Sequence, residues 1–254
     1  KVVKNVTGYD LCKLLAGSWG TLSVMTEVTL KVLPKAETER TLLLRGLDDV
    51  TANRVMTTAI GSPYDVSGVA HIPSSIFRDT ADGLSGLGSS QQAVTLIRLE
   101  GIGASVPHRA GSVSKALASF GTAEMIEDDA SAAVWASIRD VTPFAASGSL
   151  GAWPVWRIVC PPASGGAFGQ ALARETGGLI WAALPPAPDA HAALLRQRLK
   201  PIGGHAMLLR GTDQVRAAID VFHPQEAGVA ALGQRVKASF DPKQILNRGR
   251  MVRI

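Results

Sequence analysis

The sequence has no apolar run long enough to cross a membrane, since a membrane span needs roughly 18 or more consecutive apolar residues. Its most apolar stretch, residues 178–195, is interrupted by three prolines, Asp189 and His191. Only Cys12 and Cys160 are present, too few for a disulfide framework. The first residues contain no apolar signal region. These absences predict a cytoplasmic protein with two reduced thiols.

The short motifs of several enzyme classes are also missing. No Gly-x-Gly-x-x-Gly follows a strand, and Gly101-Ile-Gly103 is only a fragment of that pattern, which excludes a Rossmann nicotinamide site. There is no P-loop, and no Gly-x-Ser-x-Gly elbow supports serine-hydrolase chemistry. The five histidines have no paired metal-ligand spacing, so we predict no protein-bound metal.

Aromatic residues are scarce, at 5%, whereas positive charge is in excess, at +5 with a pI of about 9.5. The excess lies at both ends: residues 1–35 contain five lysines against two acids, and residues 235–254 contain six cations against one acid. The ends are therefore predicted to share an anionic partner, with ordinary surface charge as the alternative. No run of cations is interleaved with aromatics, which disfavours nucleic acid.

Strand-like and helix-like windows alternate along residues 37–240, which predicts an α+β fold with one antiparallel sheet and helices on one of its faces. The strand windows are Thr41–Leu44, Val66–His71, Val94–Leu99, Val155–Val159, Leu179–Ala183 and Ala206–Arg210. The helix windows are Asp48–Ile60, His108–Phe120, Ser131–Asp140, Ala163–Glu175, Asp189–Lys200, Asp213–Asp220 and Gln225–Phe240. Ahead of these, period-two alternation predicts a half-buried strand over Thr21–Leu33, ended by Pro34.

A block of small and hydroxylated residues precedes that predicted strand. Within it, Asp10 is expected to cap a short helix and Gly17 to supply a left-handed exit. Such residues leave backbone N–H groups open to a phosphate or a ribose, although a structural turn explains the same glycines. The candidate binding residues in this block are Asn5, Thr7, Gly8, Asp10, Gly17, Ser18, Gly20 and Thr21.

The two ends resemble a known family. Val3-Lys-Asn-Val-Thr-Gly-Tyr-Asp-Leu11, Ala16-Gly-Ser-Trp-Gly-Thr-Leu22 and residues 26–34 are similar to the end of the FAD-binding domain in the vanillyl-alcohol-oxidase, or PCMH-type, flavoprotein superfamily. Phe240-Asp-Pro-Lys-Gln-Ile-Leu-Asn-Arg-Gly-Arg-Met251 resembles the closing motif of that superfamily. Within it, the FAD-binding E subunits of bacterial glycolate oxidases share a Gly-Gly-His-Ala run, here residues 203–206.

The resemblance implies a domain organisation. Residues 1–36 would be the C-terminal part of an FAD-binding domain, residues 37–239 a ferredoxin-like α+β cap, and residues 240–254 a segment that returns to the FAD site. Members of the superfamily place a pyrophosphate-binding subdomain before the first matched block, so the chain is expected to be N-terminally truncated and to bind FAD weakly or not at all. The two ends are expected to meet in space as parts of one flavin cradle.

The resemblance also implies the chemistry. Asn247 and Arg250 would join the cofactor site, and His205 is the candidate catalytic residue, with Arg157 and Arg210 as candidate cations for a substrate carboxylate. The function would be that of an FAD-dependent subunit of a heteromeric glycolate oxidase. It would pass hydride or electrons from a small 2-hydroxy acid to flavin and form glyoxylate from glycolate. Partners would be flavin and iron-sulfur subunits, with at most peripheral membrane association.

Two alternatives stay open. The first is a non-catalytic scaffold or assembly subunit whose flavin site is vestigial. The second is a nucleic-acid-binding module, for which the high pI is the only argument.

Overall fold

The computed structural model describes residues 8–79, 87, 92–172 and 178–252. The predicted site residues Asn5 and Thr7 lie outside these ranges. Contacts divide the chain into two compact units. Residues up to Pro34 together with those from Asp220 onward form one, here called the terminal unit, and Lys35–Ile219 form the other, the central unit.

Nine α-helices and seven strands occur among the residues described. The helices are α1 (Leu11–Leu15), α2 (Asp49–Ile60), α3 (Ser74–Asp79), α4 (Ser105–Ala116), α5 (Asp128–Arg139), α6 (Pro162–Leu172), α7 (Ala192–Leu199), α8 (Asp213–Ala218) and α9 (Ala227–Phe240). The strands are β1 (Thr38–Arg45), β2 (Gly68–Ile72), β3 (Val94–Gly101), β4 (Glu124–Glu127), β5 (Val155–Val159), β6 (Leu179–Ala183) and β7 (His205–Arg210). None of these helices is both long and apolar enough to cross a membrane.

The central unit contains a ferredoxin-like sheet. Its four strands lie in the order β2-β3-β1-β4 and every neighbouring pair is antiparallel. With α2 between β1 and β2, and α4 between β3 and β4, the chain order is that of two interleaved βαβ units. This arrangement confirms the predicted α+β class with an antiparallel cap.

A second sheet of three strands, in the order β6-β5-β7, stands where the sequence predicted a continuation of the first. Both β6 and β7 are antiparallel to the central strand β5, with an irregularity between Val155 and Trp156 in the β5–β7 register. The prediction of one sheet was therefore wrong, although each of its six strand windows is occupied by a strand.

Helices cover both faces of the four-stranded sheet, not one face as predicted. Leu42 and Leu44 point to the face on which α2 and α4 pack, whereas Leu43 points to the opposite face. That second face is covered by Val134 of α5 and by Val155 and Ala183 of the second sheet. Because apolar side chains lie on both faces of β1, the sheet is most stable when both of its faces are buried.

The predicted strand over Thr21–Leu33 is absent, and this prediction was wrong. The segment has no regular secondary structure and pairs with no described strand, and its apolar side chains from Val24 onward are exposed: Val24 is 77% exposed and Leu33 86%. Alternation shows which side chains share a face, but a strand also needs a partner for its backbone N–H and C=O groups.

The second predicted boundary, between residues 239 and 240, differs from the observed division. Helix α9 groups with the terminal unit, so that this division falls between Ile219 and Asp220. The ammonium of Lys237 on α9 donates to the backbone oxygens of Thr21 and Leu246, which links the helix to both ends of the chain.

Candidate functional site

A tight turn follows α1 in the terminal unit. The side chain of Asp10 accepts a hydrogen bond from the Lys13 amide at 3.2 Å and so caps the helix, and Gly17 leaves it with φ +80°, both as predicted. The backbone is again left-handed at Trp19, φ +54°, and at Gly20, φ +69°. A bulky residue in this region is strained, and such strain persists where the surrounding structure holds it.

The loop after α9 has similar geometry. Gln244, Asn247 and Gly249 have φ values of +51°, +39° and +72°. The Nδ2 of Asn247 donates to the carbonyl oxygen of Trp19 at 2.7 Å, and the Arg250 amide donates to the carbonyl of Asn247 at 3.1 Å. The predicted meeting of the two chain ends is therefore confirmed at this turn and this loop.

These two segments border an open cavity of about 560 Å³. The guanidinium carbon of Arg250 lies 5.1 Å from the centre of the Trp19 indole, which is within cation–π range. Phe222 meets the same indole edge-on, with ring centres 5.8 Å apart. The cavity therefore combines an aromatic wall with a cationic rim. It is lined by Trp19, Asn247, Arg248, Gly249 and Arg250.

An ion pair lies behind this cavity. Lys237 donates to the carboxylate of Asp241, four residues later, and Asp241 is almost fully buried. The same carboxylate accepts hydrogen bonds from the amides of Ile245, at 3.1 Å, and Leu246, at 2.9 Å. Asp241 thereby anchors the first residues of the cavity-lining loop to the end of α9.

Asp241 is predicted to titrate far below its ordinary range. Burial by itself raises the pKa of Asp241. The Lys237 ammonium and the amides of Leu246 and Ile245 lower this pKa by a larger amount, so that it falls from 3.8 to about 2. Since the pKa of Asp241 is lower in the folded state, the ionised carboxylate stabilises the fold. This stabilisation is complete above pH 3.8 and is lost as the pH falls towards 2. A carboxyl-carbon NMR titration with a midpoint at the ordinary value would contradict this.

The predicted residues of the N-terminal block have different environments. Gly8 and Asp10 are exposed, and the Asp10 carboxylate pairs with the Lys13 ammonium at 2.9 Å. Ser18 and Thr21 are buried, and the Thr21 hydroxyl donates to the Ser18 carbonyl at 2.7 Å, so both support the turn itself. Among the predicted binding residues that the structure describes, Gly20, Asn247 and Arg250 come together at or beside the cavity.

The candidate substrate-binding residues lie in the central unit. His205 is exposed at the start of β7. Arg210, at the other end of that strand, donates to the carbonyls of Phe144, Leu150 and Trp153, and burial lowers the pKa of its guanidinium. Because these three backbone acceptors engage it, Arg210 has a structural role, and its candidacy as the carboxylate-binding cation is withdrawn.

Sequence reasoning missed Lys237 and treated Trp19 as a packing residue. The signal for Lys237 was its i,i+4 spacing to Asp241 at the start of the closing motif. Trp19 is 40% exposed and forms a cavity wall, which a local sequence pattern does not reveal because its partners lie more than 200 residues later. In the described part of the chain, no cluster of three or more His, Cys, Asp or Glu side chains is placed to hold a metal.

Comparison with known proteins gives a match to the family model "FAD linked oxidases, C-terminal domain" over residues 223–251. This range includes α9, Asp241 and most of the cavity lining. The chain is 26% identical to glycolate oxidase subunit GlcE of Escherichia coli (strain K12), across 99% of this chain and 59% of that protein. It is 54% identical to glycolate oxidase subunit GlcD of Bacillus subtilis (strain 168) over 43 residues, 17% of this chain and 9% of that protein.

Solved structures show the same fold. Two crystal forms of alkyldihydroxyacetonephosphate synthase match 96% of this chain, with TM-scores of 0.51 and 0.54 at 15% and 14% identity. The matches cover 50% and 51% of those chains. The chain thus spans less than two thirds of the length of each of these relatives. Together, the comparisons confirm the predicted fold class and the resemblance drawn from the sequence.

Proposed function

We propose, from the relation of the chain to FAD-linked oxidases and glycolate oxidase subunits, that it is an FAD-binding subunit of a glycolate or related 2-hydroxy acid oxidase. The observation that carries the proposal is the cavity between Trp19 and Asn247–Arg250. Four of its five lining residues fall within the range that the FAD-linked oxidase model matches. The terminal unit would then be part of an FAD-binding domain, and the central unit its cap.

The residues of the cavity suit a dinucleotide with a planar ring system. The Trp19 indole offers a stacking surface, while the guanidinium groups of Arg248 and Arg250 provide charge for a pyrophosphate or for the pyrimidine edge of a flavin. Because the Asn247 Nδ2 donates to the Trp19 carbonyl, the amide oxygen of Asn247 is oriented away from that bond and offers an acceptor.

Bound FAD would supply the acceptor for hydride or electrons from the 2-hydroxy acid. The contribution of the chain is to bind and orient the cofactor at Trp19, Asn247 and Arg250. His205 is proposed to take the hydroxyl proton of the substrate, since an imidazole nitrogen can accept a proton in general base catalysis. Other glycolate oxidase subunits, with flavin and iron-sulfur groups, are the proposed partners in a cytoplasmic complex that forms glyoxylate.

A scaffold role is the second candidate, and two features of the site favour it. Arg250 lies over the Trp19 indole, so an arginine occupies a face on which a flavin ring would stack. In addition, Arg248 stands where the closing motif of the superfamily usually has proline, which leaves the loop backbone less restrained. A vestigial site would combine these features with no bound cofactor.

The visible absorption spectrum decides between the two candidates. The protein should be purified with every residue that its gene encodes, and we expect an oxidised-flavin spectrum that bleaches when glycolate is added without oxygen. A preparation without flavin, or one that glycolate leaves oxidised while other subunits of the complex are present, would favour the scaffold. Retention of RNA or DNA at physiological salt would instead favour the nucleic-acid module.

A further inference from the structure

Three segments of the terminal unit converge on the side chain of Lys237. Its ammonium donates to the Thr21 carbonyl at 2.7 Å, to the Leu246 carbonyl at 3.0 Å and to the Asp241 carboxylate. Thr21 belongs to the turn that carries Trp19, and Leu246 directly precedes Asn247. One cation on α9 therefore holds a backbone oxygen close to each wall of the cavity.

Every N–H donor of the Lys237 ammonium has a hydrogen-bond acceptor. An ammonium has three N–H donors, and Lys237 has three oxygen partners. The side chain of Asp241 is only 3% exposed, so its charge requires compensation, and Lys237 and the amides of Ile245 and Leu246 supply it. Removal of Lys237 would leave a buried carboxylate without its cation and two carbonyls without their donor.

We infer that Lys237 and Asp241 form a clasp that positions the two walls of the cavity against each other before any ligand binds. The inference rests on the proposed function for the identity of that ligand, FAD. Neither residue lines the cavity, so both are positioning residues. The bond between Asn247 and Trp19 joins exposed segments, whereas the clasp joins the same segments through a buried carboxylate. A preorganised site avoids the ordering cost that FAD would otherwise meet on binding.

The test compares K237M with K237R and with K243M. Lys243 is exposed and has no ion pair to another described residue, so K243M removes the same charge from the same region without touching the clasp. Amide hydrogen exchange of the unliganded full-length protein should be at least about tenfold faster in K237M for peptides covering residues 18–22 and 243–251. K237R should recover part of the protection, because arginine keeps the charge and several donors.

Peptides from β1 and β3 of the central unit report whether each variant is folded, and their exchange should not change. Equal exchange in K237M and the unmodified protein at residues 18–22 and 243–251 would overturn the clasp. So would equally fast exchange in K243M, because the effect would then be one of net charge. D241N serves as the second variant and should resemble K237M, since it removes the negative partner.

Flavin retention is measured separately from exchange. In the full-length protein, K237M should bind FAD about tenfold more weakly than K243M does, with K237R between them. If exchange responds and FAD binding does not, the cavity walls do not hold the cofactor and the positioning role is overturned. If the unmodified protein retains no flavin, the proposed function fails, while the exchange comparison alone still decides whether the clasp exists.

Discussion

Replacing Gly20 by alanine should weaken FAD retention in the full-length protein by at least about tenfold, because a Cβ at this position collides with a cavity residue. An added Cβ would lie 2.7 Å from the Asn247 Nδ2, closer than real contacts allow. That nitrogen donates to the Trp19 carbonyl, so it must move away from the bond that joins the two walls. Titration with FAD, followed by flavin fluorescence, measures the effect.

Gly17 provides the matched control, because it does not line the cavity although the sequence made it a candidate binding residue. It has φ +80°, against +69° for Gly20, so alanine meets a comparable backbone penalty of about 1 kcal/mol at either position. An added Cβ at Gly17 has no neighbour within 4 Å among the described residues. G17A should therefore bind FAD within about twofold of the unmodified protein. Equal losses in G17A and G20A would show that backbone strain, and not displacement of Asn247, is responsible.

The local patterns of the central unit were sufficient to place six of its seven described strands but not to divide them into sheets. Leu42, Leu43 and Leu44 show that both faces of β1 are apolar, yet the sequence alone does not say whether helices or a second sheet cover each face. Pairing between β1 and β3 joins residues 49 to 63 positions apart. Two elements were missed for a related reason: β4 is short, four residues long, and mostly exposed, and α3 has only six residues.

The candidate site was predictable in outline from its two ends. Positive charge at both termini and the closing motif led to Asn247 and Arg250, and these residues do meet the turn that contains Gly20. The side chains that build the walls were not predictable in the same way. Trp19 faces Phe222 and Arg250 only after the chain has folded, and Lys237 bonds Thr21 across 216 positions. Such contacts depend on tertiary structure and leave no local periodicity.

Replacing Arg210 by methionine should lower the free energy of unfolding by about 3–5 kcal/mol, the cost of leaving several partly buried acceptors without a charged donor. The guanidinium donates from Nη1 to Phe144 at 2.5 Å, from Nη2 to Leu150 at 2.7 Å and from Nε to Trp153 at 3.0 Å. Phe144 and Leu150 are core residues in the connection between α5 and β5, so these bonds hold that connection against β7. Urea unfolding with linear extrapolation measures the loss.

Arg157 on β5 is the matched control, because it is a half-buried arginine of the same sheet whose side chain has no hydrogen bond to another described residue. R157M should change the free energy of unfolding by less than about 1 kcal/mol. Similar losses in both variants would mean that the three carbonyl bonds of Arg210 are not what stabilises the fold. A large loss confined to R210M would leave Arg157 as the remaining arginine candidate for the substrate carboxylate, since it is not engaged by backbone acceptors in the described structure.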